Sequence, residues 1–239
     1  MVSRTERVRA YFRNPDTYLS DNHNIASRAV LVREMLGDIR SQRILDLGCG
    51  DGTLSMQFVL QNNQVTMVDL SQAMLDRARS RTPEHLHSRV RYIYSDLLDL
   101  PLEDPYDIVL CIGVLAHVGS VDQSIDKISR LLRTGGRCIL QITDSSRSLS
   151  RLIHSYYSLR ERLRSRVGYS LNRMTVDETL AVAARHSLRL VSVRRHALLF
   201  PGMGRLPSHW LLEYDLFVMS HPLLSRYGSS ALLLLEKRH

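Results

Sequence analysis

The stretch Arg43-Ile-Leu-Asp-Leu-Gly-Cys-Gly-Asp-Gly-Thr-Leu54 decides the fold, because a short apolar strand runs directly into a turn with a glycine at every second position. Gly48, Gly50 and Gly52 can adopt positive φ without a Cβ penalty, and they leave space for a ligand against the backbone where the next helix begins. Asp46, near the end of the strand, offers an anionic acceptor. The stretch is therefore predicted to be a ligand-binding turn between a strand and a helix.

The spacing of the glycines indicates which ligand the turn accepts. A dinucleotide-binding turn has the pattern Gly-x-Gly-x-x-Gly, which places a pyrophosphate over a helix N-terminus. This chain instead has Asp-x-Gly-x-Gly-x-Gly, with Asp46 before the turn and Asp51 inside it. The two carboxylates would repel a pyrophosphate but suit a cofactor that carries a sulfonium and an α-ammonium. The motif resembles the first motif of class I S-adenosylmethionine-dependent methyltransferases, and an ordinary tight strand-to-helix connection is the alternative.

A second buried strand is predicted over residues 64–69. It ends in Asp69, about 20 residues beyond the glycines, where doubly wound folds place the carboxylate that binds a ribose. Asp69 is therefore predicted to bind the ribose hydroxyls, with Leu70 beside it at the cofactor. Ser71 is the predicted N-cap of the following helix. Met74 is placed to pack beneath the purine, and ordinary core packing is its alternative role.

The third and fourth strands supply the other end of the cofactor site. A strand over residues 90–95 is followed by Asp96 and Leu97. The resemblance implies that an acidic residue here holds the adenine amino group, while its neighbour's backbone contacts the ring. The stretch 106–114 is almost wholly apolar, as a strand covered on both faces should be. Its end, at Ile112, is expected to face the methyl group of the cofactor.

The remaining elements complete an α/β fold. A helix that ends at the double glycine 135–136 is predicted to lead into a fifth strand. Beyond it we expect a helix over 176–186, a strand over 188–200 and a last strand over 231–236. Strands that alternate with helices predict a parallel sheet with right-handed crossovers. We therefore expect a Rossmann-like, doubly wound, seven-stranded and mostly parallel sheet, with helices on both faces and the last strand antiparallel, as the resemblance also implies.

Length and composition fit one domain over residues 1–239, with 44% hydrophobic residues. Within it we expect an N-terminal helical cap (1–40), a cofactor-binding core (41–144), a basic helical insertion that is a candidate lid (145–175), and a C-terminal part that completes the sheet (176–239). The N-terminus lacks an apolar leader, and no apolar run reaches the ~18 residues that span a bilayer. A cytoplasmic location is therefore predicted.

The cysteine and histidine patterns do not suggest a metal. Cys49, Cys111 and Cys138 lie in or beside predicted strands, and no Cys-x-x-Cys pair is present. Neither a zinc site nor a disulfide framework is indicated. The ten histidines show no His-Glu-x-x-His grouping, so no metal site is predicted.

The net charge of +8 comes almost wholly from arginine, which could mark an anionic partner or simply reflect nucleotide composition. Seven arginines lie between the fifth strand and the next helix: Arg147, Arg151, Arg160, Arg162, Arg164, Arg166 and Arg173. Apolar residues in this segment, Tyr156 among them, follow helical spacing and predict a basic amphipathic helix. It could be a solvated helix packed on the domain, a lid over an apolar substrate that Tyr156 would contact, or a peripheral contact with anionic lipid.

Aromatic residues outside the core are the other candidate substrate contacts. Tyr11 and Tyr18 flank a proline bend near the N-terminus, and the resemblance implies an aromatic-bearing helix over the cofactor. Either tyrosine is expected to reach the sulfonium or the substrate, with plain packing as the alternative. His209 and Trp210 follow flexible turns before the last strand. The resemblance implies that an insertion at this point borders the acceptor pocket. A helix start that packs its aromatic residue on the core is the alternative there.

His117, which follows the fourth strand, is the candidate general base. Methyl transfer from a sulfonium is an in-line displacement, so the protein must align the reactants and, for some acceptors, remove a proton. A histidine ordinarily titrates near neutrality. Quinone-pathway and natural-product methyltransferases often carry a histidine here, usually after Glu or His, where this chain has Ala116. A structural role beside the cofactor is the alternative for His117.

Motifs that are absent restrict the acceptor. The chain has no Asn/Asp-Pro-Pro-Tyr/Phe after the fourth strand, no Pro-Cys nucleophile, and only two lysines, Lys127 and Lys237. The resemblance implies that enzymes which methylate nucleic-acid bases or ribose carry such motifs. Their absence therefore disfavours these acceptors. We therefore expect methyl transfer to an O, N or C nucleophile of a small-molecule or lipid-like acceptor. An RNA methyltransferase and a noncatalytic cofactor-binding protein are the alternatives, and the oligomeric state is left open.

Overall fold

Seven strands form one sheet in the part of the chain that the computed structural model describes, namely residues 4–11, 22–101, 104–144, 171–198, 200, 202–203 and 206–238. In chain order they are β1 (Arg43–Leu47), β2 (Gln64–Asp69), β3 (Val90–Tyr94), β4 (Tyr106–Cys111), β5 (Leu132–Thr143), β6 (Leu188–His196) and β7 (Ser230–Lys237). They lie side by side in the order β3-β2-β1-β4-β5-β7-β6. The first five pair in parallel, and β7 is antiparallel to both of its neighbours, β5 and β6. The predicted sheet is confirmed, with the last strand inserted between β5 and β6.

Helices cover both faces of this sheet. They are α1 (Arg4–Tyr11), α2 (Asn22–Leu36), α3 (Thr53–Val59), α4 (Gln72–Arg81), α5 (Val121–Leu131), α6 (Val176–Arg185), α7 (Ser208–Ser220) and α8 (Pro222–Ser225), with a 3-10 helix at Glu84–Arg89. On one face, Ile128 of α5 and Ala183 of α6 pack against the strands. On the other face, Leu31 of α2, Phe58 of α3 and Leu75 of α4 do so. The doubly wound arrangement is thus confirmed.

The central strands explain why one edge of the sheet carries the polar residues. Residues 108–111 of β4 are buried on both faces, which is why the sequence there is continuously apolar. In the register of the sheet, Leu47 of β1 lies between Val68 of β2 and Cys111 of β4. The segments that follow these strands therefore emerge together at the carboxyl edge, where ligands bind in open α/β sheets.

The double glycine does not end a helix as the sequence predicted. Helix α5 already ends at Leu131, and β5 begins at the next residue. Pairing with β4 then shifts from Tyr106↔Leu132 to Ile108↔Arg137, so residues 133–136 leave the ladder. A Cβ at Gly136 would approach the Arg133 carbonyl oxygen to 2.8 Å, and Gly135 has a φ of +73°. The glycines allow residues 133–136 to form a tight loop beside β4. The prediction that they end a helix is wrong.

Strand β6 is also shorter than predicted, because its pairing stops at His196. The next residue, Ala197, adopts a φ of +61°. Its backbone N–H donates to the Asp215 carboxylate at 2.9 Å, which directs the chain away from the sheet. The predicted proline bend near the N-terminus and residues 145–170 of the predicted basic helical insertion lie outside the described residues, and residues 171–175 of that insertion form no helix. No helix among those described is both long and apolar enough to cross a membrane.

Candidate cofactor and active site

A cavity of about 430 Å³ opens at the carboxyl edge of the sheet. Its walls come from the glycine turn, from the segments that follow β2, β3 and β4, and from α1. Most of the site residues expected from the sequence line it: Gly48, Gly50, Asp69, Leu70, Met74, Asp96, Leu97, Ile112 and His117. The structure thus brings together residues that are far apart in the sequence.

The glycine turn is shaped for a ligand on one side and for the segment that follows β4 on the other. Gly48 has a φ of +72°, and a Cβ there would overlap the Cγ2 atom of Val114. Gly50 has a φ of +56°, but a Cβ there would meet no protein atom within 4 Å. Gly48 is therefore required by protein packing, whereas the space beside Gly50 is free for a cofactor that contacts the backbone.

Asp69 links the glycine turn to the end of β2. Its Oδ2 atom accepts the Gly50 backbone N–H at 2.9 Å, and its Oδ1 atom accepts the Ser71 N–H at 2.8 Å. Burial raises the pKa of the Asp69 carboxyl, and these backbone hydrogen bonds oppose that increase. Each oxygen of a carboxylate can accept more than one hydrogen bond. Asp69 thus keeps acceptor capacity towards the cavity, as ribose binding requires.

Asp96 forms the opposite end of the cavity, where it is held from two sides. Its Oδ1 atom accepts the Leu98 backbone N–H at 3.0 Å, and its Oδ2 atom accepts the Thr5 hydroxyl at 3.3 Å. Thr5 belongs to α1, which also places the buried side chain of Val8 in the cavity wall. Met74 is almost fully buried and lines the same cavity. This end therefore combines an anionic acceptor with apolar walls, which suits a purine that carries an amino group.

Asp46 lies on the other side of the glycine turn, away from the large cavity. It is 2% exposed and accepts the Ser55 hydroxyl. Burial raises the pKa of Asp46 to about 7, the Ser55 hydrogen bond opposes the increase, and the charge of Asp69 adds to it. It lines a smaller cavity of about 40 Å³ that also borders Gly48 and Gly50.

Asp51 does not line the large cavity either, although the sequence placed it at the cofactor. Its carboxylate forms an ion pair with Arg81 of α4 and accepts the Thr53 hydroxyl at 2.6 Å. The Thr53 backbone N–H also donates to it, at 3.2 Å. These contacts engage the Asp51 charge within the protein, and they fasten the glycine turn to α4. Asp51 instead borders the smaller cavity.

Arg28 of α2 is a site residue that the sequence reasoning missed. It lines the smaller cavity together with Gly48, Gly50 and Ile112. Its Nε atom is buried and makes no hydrogen bond with the residues that the structure describes. A guanidinium here places a cation beside a glycine turn that is otherwise flanked by carboxylates. No motif marks Arg28, because its approach to the turn depends on how α2 packs.

His117 lines the large cavity in the turn that follows β4. Its backbone N–H donates to the Val114 carbonyl oxygen at 2.8 Å, which closes the turn. Burial and, to a smaller extent, the nearby charge of Arg4 together lower the pKa of His117 to about 4. The expectation that this histidine titrates near neutrality is therefore wrong. His117 is neutral at physiological pH and can accept a proton only as a weak base.

The expected substrate contacts are not assembled by the described part of the structure. Tyr18, Tyr156 and the side chain of Tyr11 lie outside the described residues. His209 and Trp210 begin α7, with their ring centroids 6.0 Å apart. Trp210 is 57% exposed, and neither residue lines the large cavity.

A glycine turn, a carboxylate at the end of β2 and a second carboxylate after β3 lie around one cavity, which is the arrangement that the resemblance to class I S-adenosylmethionine-dependent methyltransferases implied. Residues 44–136 match the family model described as a methyltransferase domain. Over these residues the match agrees with the methyltransferase class that the sequence predicted.

Relatives of this chain carry small-molecule methyltransferase names. It is 33% identical over 97 residues to a ubiquinone biosynthesis O-methyltransferase of Rickettsia akari, a match that covers 41% of this chain and 38% of that protein. It is 28% identical over 182 residues to a malonyl-[acyl-carrier protein] O-methyltransferase of Pseudescherichia vulneris, with 76% of this chain and 68% of that protein covered. The match thus spans less than half the length of the ubiquinone-pathway relative.

Solved structures show the same fold. A magnesium protoporphyrin IX methyltransferase from Synechocystis PCC 6803, solved with bound S-adenosylhomocysteine, superposes with a TM-score of 0.67 at 15% identity. The superposition covers 98% of this chain and 100% of that one. At this low sequence identity, the structural similarity supports a shared fold and nothing further.

Proposed function

We propose that this protein transfers a methyl group from S-adenosylmethionine to a small-molecule or lipid-like acceptor. The observation that carries the proposal is the single cavity that joins Asp69, Asp96, the open side of Gly50 and His117. A cofactor pocket alone would suit a noncatalytic binding protein as well. The presence of a proton acceptor in the same cavity supports catalysis.

Each part of the site matches a part of the cofactor. Asp69 would accept hydrogen bonds from the ribose hydroxyls, and Asp96 one from the adenine amino group. Met74 and Leu97 would pack on the purine. Arg28, in the smaller cavity beside the glycine turn, would attract the carboxylate of the amino-acid end, while Asp46 would attract its ammonium. When bound, S-adenosylmethionine supplies an electrophilic methyl group on a sulfonium.

His117 restricts the kind of nucleophile that this site can activate. A neutral imidazole whose pKa is about 4 retains a captured proton poorly. General-base catalysis is most effective when the base is matched to the proton it removes and to the working pH. The site therefore favours an acceptor that is itself acidic, such as a phenol, an enol or a carboxylic acid. The names of the O-methyltransferase relatives support an oxygen nucleophile.

The remaining expectations stay predictions. They comprise the substrate contacts of Tyr11, Tyr18, Tyr156, His209 and Trp210, the lid or membrane role of residues 145–175, and the cytoplasmic location. Among the described residues, no group of three His, Cys, Asp or Glu side chains is arranged to hold a metal. The prediction that nucleic acid is not the acceptor also awaits a direct test.

Methyl transfer into an extract of the source cells tests the proposal. The purified protein is incubated with the extract and S-adenosylmethionine labelled in its methyl group, and the products are partitioned into nucleic acid, organic-soluble and small polar fractions. We expect label in the organic-soluble or small polar fraction, and none with the Asp69→Ala variant. Label that appears in RNA, or in no fraction, would contradict the proposed acceptor class.

A further inference from the structure

The turn that carries His117 is held by two residues from distant parts of the chain. It follows β4 but belongs to neither a helix nor a strand, so its carbonyl groups have no regular partners. The carbonyl oxygens of residues 115–118 nevertheless all accept hydrogen bonds. The donors to all four are Arg4 and Asn172.

Asn172 contacts three of these carbonyls. Its side-chain Nδ2 donates to the carbonyl oxygen of Leu115 at 3.0 Å and to that of Val118 at 2.8 Å. Its backbone N–H donates to the carbonyl oxygen of Ala116 at 2.9 Å. One side-chain amide thus joins the first and last carbonyls of the turn, which fixes the distance between them.

Arg4 of α1 completes the set. Its Nε donates to the carbonyl oxygen of His117 at 3.0 Å, and its Nη2 donates to that of Ala116 at 3.5 Å. The same Nη2 donates to the Asn172 side-chain oxygen at 3.2 Å. The two side chains therefore support each other, and this network orients each peptide group on either side of His117.

The network also relates His117 to the adenine end of the cavity. The residue after Arg4 is Thr5, whose hydroxyl donates to Asp96 at 3.3 Å. Helix α1 therefore contacts the predicted adenine-binding carboxylate and the predicted base through consecutive residues. A shift of α1 would move both contacts, so the helix sets the position of the imidazole relative to the cofactor.

We infer that Asn172 and Arg4 are positioning residues that hold the His117 imidazole in its productive direction within the cavity. The inference rests on the proposed function, because it gives the network a catalytic purpose. Neither residue has to touch the substrate. A misplacement of a catalytic group by about 1 Å can cost on the order of 100-fold in rate, so four carbonyl contacts suffice for a large effect.

The test uses the full chain and two variants that leave its net charge unchanged. Asn172→Ala removes both side-chain donors, and Arg4→Lys keeps the charge but loses the planar fork that reaches two carbonyls at once. We measure hydrogen exchange at the His117 amide, which donates to Val114, and at the Asn172 amide, which donates to Ala116, together with the NMR signal of the His117 ring. Because Asn172→Ala loses two hydrogen bonds to the turn, we expect roughly tenfold faster exchange in that variant and a ring signal that splits or broadens in both variants.

Methyl transfer then shows whether the network serves catalysis. In both variants we expect kcat to fall about tenfold or more, while the KM for S-adenosylmethionine stays within about threefold. Arg130→Lys is the matched control, because Arg130 is exposed on α5 and does not line the cavity. It should leave exchange, the ring signal and kcat unchanged.

Unchanged amide exchange and an unchanged His117 ring signal in both variants would overturn the inference. So would faster exchange accompanied by a normal kcat. If Asn172→Ala fails to fold, Arg4→Lys decides the matter, since it alters one side chain in the first turn of α1. A His117→Ala variant with full activity would refute the proposed base; displaced ring signals in Arg4→Lys would then still establish that the network positions the histidine.

Discussion

His117 lines the large cavity, and the Nε atom of Arg4 donates a hydrogen bond to the His117 carbonyl oxygen at 3.0 Å. An imidazole in such a place loses the water that would solvate its charged form. The same change in surroundings has opposite effects on acids, since burial raises the pKa of Asp46 and Asp69. The site therefore favours groups that are neutral before the cofactor arrives.

The titration of His117 follows from this burial. We expect its NMR signal to titrate near pH 4 instead of near 6.5. Replacing Arg4 by Gln should raise that pKa, because the variant removes a positive charge that disfavours the imidazolium. If His117 is the base, kcat/KM should fall only as the pH drops towards about 4 and should show no histidine step between 6 and 7. A His117 pKa above 6 in the wild-type protein would refute this account.

The glycine turn must both pack against the protein and leave space for a ligand. Gly48 must be a glycine because Val114, in the segment that follows β4, approaches it closely, whereas Gly50 has open space where its Cβ would be. Both adopt positive φ, which costs about 1–2 kcal/mol for a residue with a Cβ. The two positions therefore carry the same backbone cost but differ in what an added methyl group would meet.

Alanine substitutions should separate these requirements. Gly48→Ala should destabilise the fold by roughly 2–5 kcal/mol, since overlap with Val114 adds to the backbone cost. Gly50→Ala should cost only about 1–2 kcal/mol in stability and yet weaken S-adenosylhomocysteine binding, because its methyl group enters the ligand space. Urea unfolding and titration calorimetry measure the two effects.

The double variant Gly48→Ala, Val114→Ala is the control for the packing term. It should regain part of the stability that Gly48→Ala loses, because it removes the overlapping methyl group. If Gly50→Ala bound S-adenosylhomocysteine as tightly as the wild type, the cofactor would not lie against this turn.

The elements that the sequence predicted correctly are those whose signals are local. A buried strand reveals itself by a continuous apolar run, and parallel strands deliver whatever follows them to one edge of the sheet. Asp69 could therefore be assigned to this edge from its position at the end of β2, and Asp96 from its position after β3 together with the resemblance to known methyltransferases. The alternation of strands and helices was sufficient to predict a mostly parallel sheet, but it did not place β7 between β5 and β6.

The parts that the sequence did not reveal depend on contacts between distant segments. The double glycine resembled a helix cap, but the close approach of Asp107 and Arg133 determines its conformation. Arg28 reaches the site only through the packing of α2. Asn172 meets the turn after β4 across more than fifty residues of chain, and nothing in its immediate sequence distinguishes it.

On the scale of the whole molecule, the buried Asp46 should affect stability. Its pKa rises from 3.8 to about 7 on folding, because burial disfavours the carboxylate. The native state therefore holds a proton that the unfolded chain has released, and this group's contribution to stability is lost as the pH rises from about 4 through about 7. The full shift corresponds to at most about 4 kcal/mol.

An Asp46→Asn variant isolates this contribution from those of the other titrating groups. Its amide oxygen can still accept the Ser55 hydroxyl, but it carries no charge at any pH. Relative to the wild type, we expect the variant to gain stability as the pH is raised from 5 to 8, measured by urea unfolding. Asp76→Asn, an exposed carboxylate on α4, is the control and should show no such trend. A constant difference between wild type and Asp46→Asn would contradict the assignment.

The central claim is that the cavity at the carboxyl edge binds S-adenosylmethionine through Asp69 and the glycine turn. Titration calorimetry with S-adenosylhomocysteine tests it most directly, because this product needs no acceptor and cannot turn over. We expect saturable one-to-one binding by the wild type and by Asp76→Ala, a sharp loss of affinity in Asp69→Ala, and no binding of NAD. Equal binding of NAD, or undiminished S-adenosylhomocysteine binding by Asp69→Ala, would contradict the account.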